Sequence, residues 1–191
     1  MKLLEDRVLK DGKIFPGEVV KVDSFLNHQI DTGLSMEMAK EIYRLFKDSG
    51  VTKVLTVEAS GIALASFVSY VFGVPMVFAK KSRSANIAEN TYRAEVHSYT
   101  YNKVNTIVCS KEYLNKDDKV LLVDDFLATG NAFIGLAELV GQAGGEVCGA
   151  VAAVEKVFQG GYKRLQDMGI HVESLCRIGS ITGDSIEIYK E

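Results

Sequence analysis

Two adjacent carboxylates and a turn of small residues form the part of this chain whose residue types could do chemistry. Asp124 and Asp125 follow the apolar run of residues 120–123, which is typical of a strand buried on both faces. Residues 128–132, here called the phosphate turn, can begin the next helix with unpaired backbone N–H groups that bind a phosphate. The turn comprises Ala128, Thr129, Gly130, Asn131 and Ala132. Because two acids would repel a bare phosphate, the pattern indicates a ligand with hydroxyl groups or a metal in between, such as ribose 5-phosphate.

The same run resembles the signature of a known family. A hydrophobic strand, Asp124-Asp125, two apolar residues and Ala128-Thr129-Gly130 make up the motif with which type I phosphoribosyltransferases bind phosphoribosyl diphosphate (PRPP). The resemblance implies that Asp124 and Asp125 are catalytic residues that hold the ribose hydroxyls. It also implies that the phosphate turn binds the 5'-phosphate of PRPP.

A second junction between a strand and a helix matches the position of the family's pyrophosphate loop. Ser60 and Gly61 follow the apolar run of residues 51–57 and can present backbone N–H groups at a helix start. Lys80 and Lys81 end the next predicted strand. The resemblance implies that these residues hold the leaving pyrophosphate as its Mg²⁺ complex. The Mg²⁺ would arrive with PRPP and would not occupy a permanent metal site on the protein.

Lys156 and Ala128 bear on which base would accept the phosphoribosyl group. A Lys ammonium donates hydrogen bonds and never accepts them, so Lys156 fits a 6-oxo group and disfavours the 6-amino group of adenine. Ala128 stands where the hypoxanthine and guanine enzymes of the family carry an acid near the purine imidazole. A base that loses its imidazole proton easily, as xanthine does, would suit this position best. Adenine enzymes also carry Ala here, so Ala128 alone does not decide.

Three segments closely resemble bacterial members of the family that act on xanthine, namely residues 19–31, 124–127 and 155–158. The resemblance implies that Val20 and Asn27 line the base and that Lys156 contacts it. Phe158 is close enough to Lys156 in the sequence to form one wall of a flat base pocket. We therefore expect a purine-salvage enzyme that transfers the 5-phosphoribosyl group of PRPP to N9 of xanthine, giving xanthosine 5'-monophosphate and pyrophosphate. Transfer to guanine or hypoxanthine stays the first alternative. A PRPP-sensing purine regulatory protein is the second.

Composition narrows the class of protein. The 191 residues are 47% hydrophobic and 25% charged, and the net charge of −3 argues against a nucleic-acid-binding surface. The residues before Ser35 are too few for a DNA-binding module beside the hood that the family carries. No apolar run is long enough for a membrane span, and the start lacks a signal-peptide pattern. The three cysteines are widely spaced, so we expect reduced thiols and a cytoplasmic protein. The family resemblance implies a homodimer.

The elements that must position these residues alternate between strand and helix along residues 1–191, which predicts one α/β domain. It would be a Rossmann-like, mainly parallel sheet with helices on both faces. A small N-terminal hood is expected at about residues 1–34, with an extended stretch over 18–25, and Ser35 is expected to cap the helix that follows. The polar stretch at about residues 80–105 breaks the alternation. The resemblance implies that it is a flexible hairpin loop that closes over the active site.

Overall fold

The computed structural model describes residues 1–82, 90–98, 103–183 and 185–190, with only the backbone described for residues 97, 98 and 103. The helices are α1 (Lys2–Asp11), α2 (Thr32–Phe46), α3 (Gly61–Phe72), α4 (Asn131–Ala143) and α5 (Gly161–Asp167). The strands are β1 (Lys13–Phe15), β2 (Val19–Lys21), β3 (Lys53–Val57), β4 (Met76–Ser82), β5 (Thr91–Ser98), β6 (Lys103–Ser110), β7 (Lys119–Leu127), β8 (Glu146–Lys156), β9 (Val172–Thr182) and β10 (Ser185–Ile188). A π-helical turn covers Asp23–Asn27, and a 3-10 turn covers Val157–Gln159.

The main sheet has eight strands in the order β10-β9-β8-β7-β3-β4-β6-β5. The five central strands, β9, β8, β7, β3 and β4, pair in parallel. At one edge β10 pairs antiparallel with β9, and at the other edge β6 pairs antiparallel with β4 and β5. The prediction of a mainly parallel sheet is confirmed. The chain leaves β3 towards β4 on one side and leaves β7 towards β8 on the other. The crevice between the carboxyl ends of β3 and β7 is therefore the switch point where such sheets bind ligands.

Helices cover both faces of this sheet, as predicted. One buried core joins α1, α2 and α3 to alternate strand residues such as Leu121 and Val123. The other core joins α4 and α5 to the strand residues that point to the opposite face, such as Val120 and Leu122. These four positions of β7 are completely buried, because side chains of a strand alternate between faces and both faces are covered.

The predicted start of α2 is wrong by four residues, because the cap is Asp31 and not Ser35. The helix begins at Thr32, and the side chain of Asp31 caps it by accepting a hydrogen bond from Leu34 N at 3.0 Å. Ser35 lies inside the first turn, where its hydroxyl donates to Asp31 O at 2.8 Å. Asp31 is the stronger cap here because its carboxylate accepts from the first turn of the helix and also pairs with Arg7.

The hood differs from the predicted extended stretch over residues 18–25. Only β2 is extended there, paired antiparallel with β1, and the π-helical turn follows it. Gly17 and Glu18 both have positive φ in the turn between these two strands, at 83° and 59°. This tight turn explains why so short a segment reverses direction.

The predicted hairpin after β4 is present as β5 and β6, which pair antiparallel from Thr91↔Ser110 to Ser98↔Lys103. The rest of the predicted closing loop, residues 83–89 and 99–102, lies outside the described residues. Within the described ranges, no helix is long and apolar enough to cross a membrane.

Candidate active site

A cavity of about 260 Å³ opens where β3, β4 and β7 end. The side chains and backbone around it come from the two junctions between strand and helix and from the inner face of the hairpin. They include Glu58, Ala59, Ser60, Lys81, Asn105, Asp124, Asp125, Phe126 and residues 128–132. The structure thus brings both predicted acids, the phosphate turn, Ser60 and Lys81 to one cavity at the switch point of the sheet.

Asp124 and Asp125 lie within β7, which runs four residues further than the predicted strand and ends at Leu127. The strand stays paired with β8 as far as Leu127↔Glu155, so the acids have fixed backbones. Asp124 is buried, with 6% of its surface exposed, and its Oδ1 accepts a hydrogen bond from Asp125 N at 3.0 Å. Burial, reinforced by the neighbouring charge of Asp125, raises the pKa of Asp124 well above its usual range, and Lys81 opposes the shift.

Gly61 lies directly behind Asp124 at the start of α3. A Cβ atom at Gly61 would lie 2.6 Å from Asp124 Oδ1, so only glycine fits between the helix and the acid. Ser60, one residue earlier, lines the cavity itself. The two predicted pyrophosphate-loop residues therefore have different surroundings, since Ser60 faces the cavity and Gly61 allows the helix to approach β7.

The two predicted lysines of β4 lie on opposite faces, because successive side chains of a strand alternate. Lys81 lines the cavity, and its backbone N donates to Glu58 Oε1 at 2.7 Å, which ties the loop after β3 to β4. Lys80 lines a separate groove that also contains Tyr113, with its Nζ 5.8 Å from the ring centroid of Phe78. The structure brings Lys81 to the acids but does not bring Lys80 there.

The phosphate turn forms between β7 and α4. Gly130 has a φ of 83°, which places it in the left-handed region that favours glycine, and α4 begins at Asn131. The first backbone N–H groups of a helix have no acceptor within the helix, so those of α4 are available to an anion. Two residues of α5 hold the outer side of the turn: Gly161 N donates to Ala128 O at 3.0 Å, and Arg164 donates to Thr129 O.

None of the four predicted base residues lines this cavity; they lie in the hood, at the end of β8 and in the 3-10 turn that follows it. Lys156 Nζ donates to Glu18 O at 2.8 Å and lies 5.9 Å from the ring centroid of Phe126, which lines the cavity. Burial lowers the pKa of Lys156, and the charge of Glu18 opposes this shift. Phe126 thus connects Lys156 to the acids.

The remaining base candidates differ in exposure. Val20 is buried, whereas Phe158 is 38% exposed. Asn27 ends the π-helical turn, and its Oδ1 is buried without a hydrogen-bond partner among the described residues. Such turns often occur at functional sites, and a buried amide oxygen without a partner needs a donor from elsewhere.

Several residues that line the cavity were not predicted from the sequence, among them Phe126, Glu58 and Asn105. Phe126 follows the acids directly, so its place in the motif could have identified it. Glu58 directly follows β3, two residues before Ser60, and a carboxylate at the end of a strand could also have been identified from the sequence. Asn105 lies on the face of β6 that Ile107 shares, and nothing local in the sequence indicates that this face meets the cavity.

Comparison with known proteins agrees with this architecture. The chain belongs to the phosphoribosyltransferase family: residues 21–169 match the family described as Phosphoribosyl transferase domain. It is 45% identical over 191 residues to a xanthine phosphoribosyltransferase of Staphylococcus epidermidis, covering 100% of both chains. It is 52% identical over 178 residues to a xanthine phosphoribosyltransferase of Lactobacillus delbrueckii subsp. bulgaricus, covering 93% of this chain and 94% of that protein.

Solved structures show the same fold at lower identity. The adenine phosphoribosyltransferase of Giardia lamblia, complexed with 9-deazaadenine, superposes with a TM-score of 0.79 at 24% identity. The match covers 93% of this chain and 98% of that one. The adenine phosphoribosyltransferase of Rhodothermus marinus gives a TM-score of 0.75 at 22% identity, covering 93% and 100%.

Proposed function

We propose that this protein transfers the 5-phosphoribosyl group of PRPP to N9 of xanthine and so serves purine salvage. The products are xanthosine 5'-monophosphate and pyrophosphate. In this reaction the bond from C1' to the pyrophosphate oxygen breaks, the bond from C1' to N9 forms, and N9 loses its proton. The proposal treats residues 1–191 as one catalytic domain.

The observation that carries this proposal is the meeting of Asp124 and Asp125 with the phosphate turn in one cavity. Ribose 5-phosphate carries its phosphate on the exocyclic C5' carbon and its vicinal hydroxyls on the other side of the ring, so a helix start and two acids in one cavity are complementary to it. Asp124 and Asp125 would accept hydrogen bonds from the ribose hydroxyls. Their negative charge would also stabilise the positive charge that develops at C1'.

The leaving pyrophosphate would lie against Ser60 and Lys81, because both line the same cavity as the phosphate turn. Lys81 supplies positive charge there, and Ser60 supplies backbone and hydroxyl donors at the start of α3. The bond from Lys81 N to Glu58 keeps this loop in place.

Oxygen donors at the site fit a Mg²⁺ ion that arrives with PRPP. Asp124 and Asp125 offer hard carboxylate oxygens, and among the described residues no cluster of three or more His, Cys, Asp or Glu could hold a metal by itself. When bound to the diphosphate, Mg²⁺ would neutralise part of the charge of the leaving group. The protein's part is to hold the ribose and the phosphates on either side of it.

Xanthine is supported as the base by Lys156 and by the relatives. Lys156 donates only, and it lies beside the ring of Phe126, against which a purine could stack between the hood and the acids. The relatives named as xanthine phosphoribosyltransferases match this chain over nearly their whole length at 45% to 52% identity.

The proposal extends to a cytoplasmic homodimer. Cys109, Cys148 and Cys176 are free thiols, which suits a reducing compartment. Light scattering of the purified protein tests the dimer, with a monomer mass contradicting it.

Product identification tests the reaction itself. The purified protein is incubated with PRPP, Mg²⁺ and xanthine, and nucleotides are separated by chromatography. Equal amounts of xanthosine 5'-monophosphate and pyrophosphate are expected, and none should form when PRPP is replaced by ribose 5-phosphate. PRPP hydrolysis without nucleotide would contradict the transfer.

A further inference from the structure

We propose that Arg164 is the positioning residue of the 5'-phosphate site and that it sets the affinity of the protein for the phosphate end of PRPP. Arg164 lies on α5, outside the cavity, and acts through the backbone of the phosphate turn. This inference rests on the proposed function, since it assigns the turn to the 5'-phosphate of PRPP.

Arg164 bonds to the residues on either side of Gly130, at the backbone carbonyl of Thr129 and at the side-chain amide of Asn131. One guanidinium nitrogen, Nη1, donates both to Thr129 O and to Asn131 Oδ1, the latter at 2.8 Å. Bonds from a charged donor are stronger than neutral ones, and a guanidinium that contacts two successive groups restricts their orientation. Arg164 thereby holds the segment on either side of Gly130.

A second bond from α5 acts on the preceding peptide. Gly161 N donates to Ala128 O at 3.0 Å, so the carbonyls of Ala128 and Thr129 both point towards α5. In a trans peptide the C=O and the following N–H point in opposite directions. The N–H groups of Thr129 and Gly130 therefore point away from α5, towards the cavity that both residues line.

The phosphate turn and the start of α5 approach each other closely at two glycines. Gly130 has a φ of 83°, and a Cβ there would lie 3.3 Å from both Cα and O of Gly161. A Cβ at Gly161 would lie 2.8 Å from Gly130 N. Both positions need glycine, which brings α5 near enough for Arg164 to reach the turn.

Charge gives Arg164 a second effect on a bound phosphate. Among the described residues that line the cavity, Lys81 is the only Lys or Arg, whereas Glu58, Asp124 and Asp125 are acids. A doubly charged phosphate beside these acids needs compensation. The Arg164 guanidinium would supply part of it, since it bonds to Thr129 and Asn131 of the turn itself.

The test compares binding of two partial ligands to the full protein by calorimetry. Ribose 5-phosphate carries the 5'-phosphate alone, and pyrophosphate with Mg²⁺ carries the leaving group alone. The variants are Arg164→Met, which removes the bonds and the charge, and Arg164→Lys, which keeps the charge. Lys163→Met is the matched control, because it removes a charge one residue away that pairs with Asp167 at 2.9 Å.

Arg164→Met should weaken ribose 5-phosphate binding about tenfold, the size of one charge-assisted hydrogen bond, and should leave pyrophosphate binding unchanged. Arg164→Lys should recover part of the loss. In turnover assays Arg164→Met should raise KM for PRPP and leave KM for xanthine within about twofold of the wild-type value. Lys163→Met should behave as wild type in each measurement.

Equal ribose 5-phosphate affinity in wild type and Arg164→Met would overturn the inference, as would an equal loss in Lys163→Met. A parallel loss of both ligands in Arg164→Met, with no recovery in Arg164→Lys, would also overturn it by showing a general structural effect. If the wild type bound neither ligand, the proposed function itself would fail. The two failures are thus distinguishable.

Discussion

Gly61 packs against Asp124 so closely that a Cβ atom at Gly61 would lie 2.6 Å from Asp124 Oδ1. The start of α3 therefore lies directly against the first acid of β7 at the switch point of the sheet. This contact links the predicted pyrophosphate loop to the predicted ribose site, two segments more than sixty residues apart in the sequence.

Gly61→Ala should displace both Asp124 and Thr56, whose Oγ1 lies even closer to the position of the new Cβ, and so damage catalysis and stability together. We expect the free energy of unfolding to fall by about 1 to 3 kcal/mol, as for other overpacked sites, and kcat to fall about tenfold or more. Urea unfolding and steady-state kinetics measure both. The control is Gly141→Ala in α4, where a Cβ would meet nothing within 4 Å. It should gain about 0.4 to 1 kcal/mol and keep full activity, and identical behaviour of the two variants would disprove the role of the contact.

Asp124→Asn should separate stability from activity. Because the pKa of Asp124 is raised in the folded protein, folding favours its protonated form. The wild type therefore loses stability as pH rises from the usual Asp range, near 3.8, through the raised pKa. Asparagine has no charge to bury, so the variant should be more stable than wild type at pH 7, with the difference shrinking towards pH 4.

Chemical denaturation from pH 4 to pH 8 checks this, with the exposed Asp117→Asn as control. A stability difference that does not vary with pH would contradict the ionisation argument. Activity of Asp124→Asn should nevertheless fall, because the amide cannot supply the negative charge that stabilises C1'.

Asp125→Ala should lower turnover by about 10²-fold or more, which is the usual effect of losing a catalytic electrostatic contact. The protein should stay folded. Circular dichroism and kcat from initial rates measure the two properties. Near-normal turnover would remove Asp125 from the catalytic machinery.

Asn27→Ala should affect xanthine more than hypoxanthine, which has only hydrogen at the purine 2-position. Asn27 would donate to the 2-oxo group from its amide nitrogen, whereas its Oδ1, which is buried without a partner among the described residues, can only accept. Loss of the contact to the 2-oxo group should cost about 1 to 3 kcal/mol in kcat/KM for xanthine. An equal fall for both bases would show that Asn27 shapes the hood without reading the base.

The acid pair and the phosphate turn could be predicted because all their parts are neighbours in the sequence and their chemistry is local. The parallel sheet followed from the alternation of strand and helix. The cap of α2 was assigned to Ser35 instead of Asp31 because both residue types cap helices, and the contact with Arg7 that favours Asp31 is not visible locally. Arg164 could not be predicted, since its bond to Thr129 crosses 35 residues and depends on how α5 docks. Opposite faces for Lys80 and Lys81 follow from the alternation of a strand, but which of the two faces the cavity depends on the tertiary placement of β4.

Competition among bases tests the central claim most directly. Initial rates with PRPP and Mg²⁺ are measured in parallel for xanthine, guanine, hypoxanthine and adenine, and kcat/KM is compared. We expect the highest value for xanthine and a smaller one for guanine, because the amide of Asn27 can rotate to accept from the 2-amino group of guanine. Almost no activity is expected with adenine, whose 6-amino group would face the donor Lys156. A value for adenine or hypoxanthine at or above that for xanthine would contradict it.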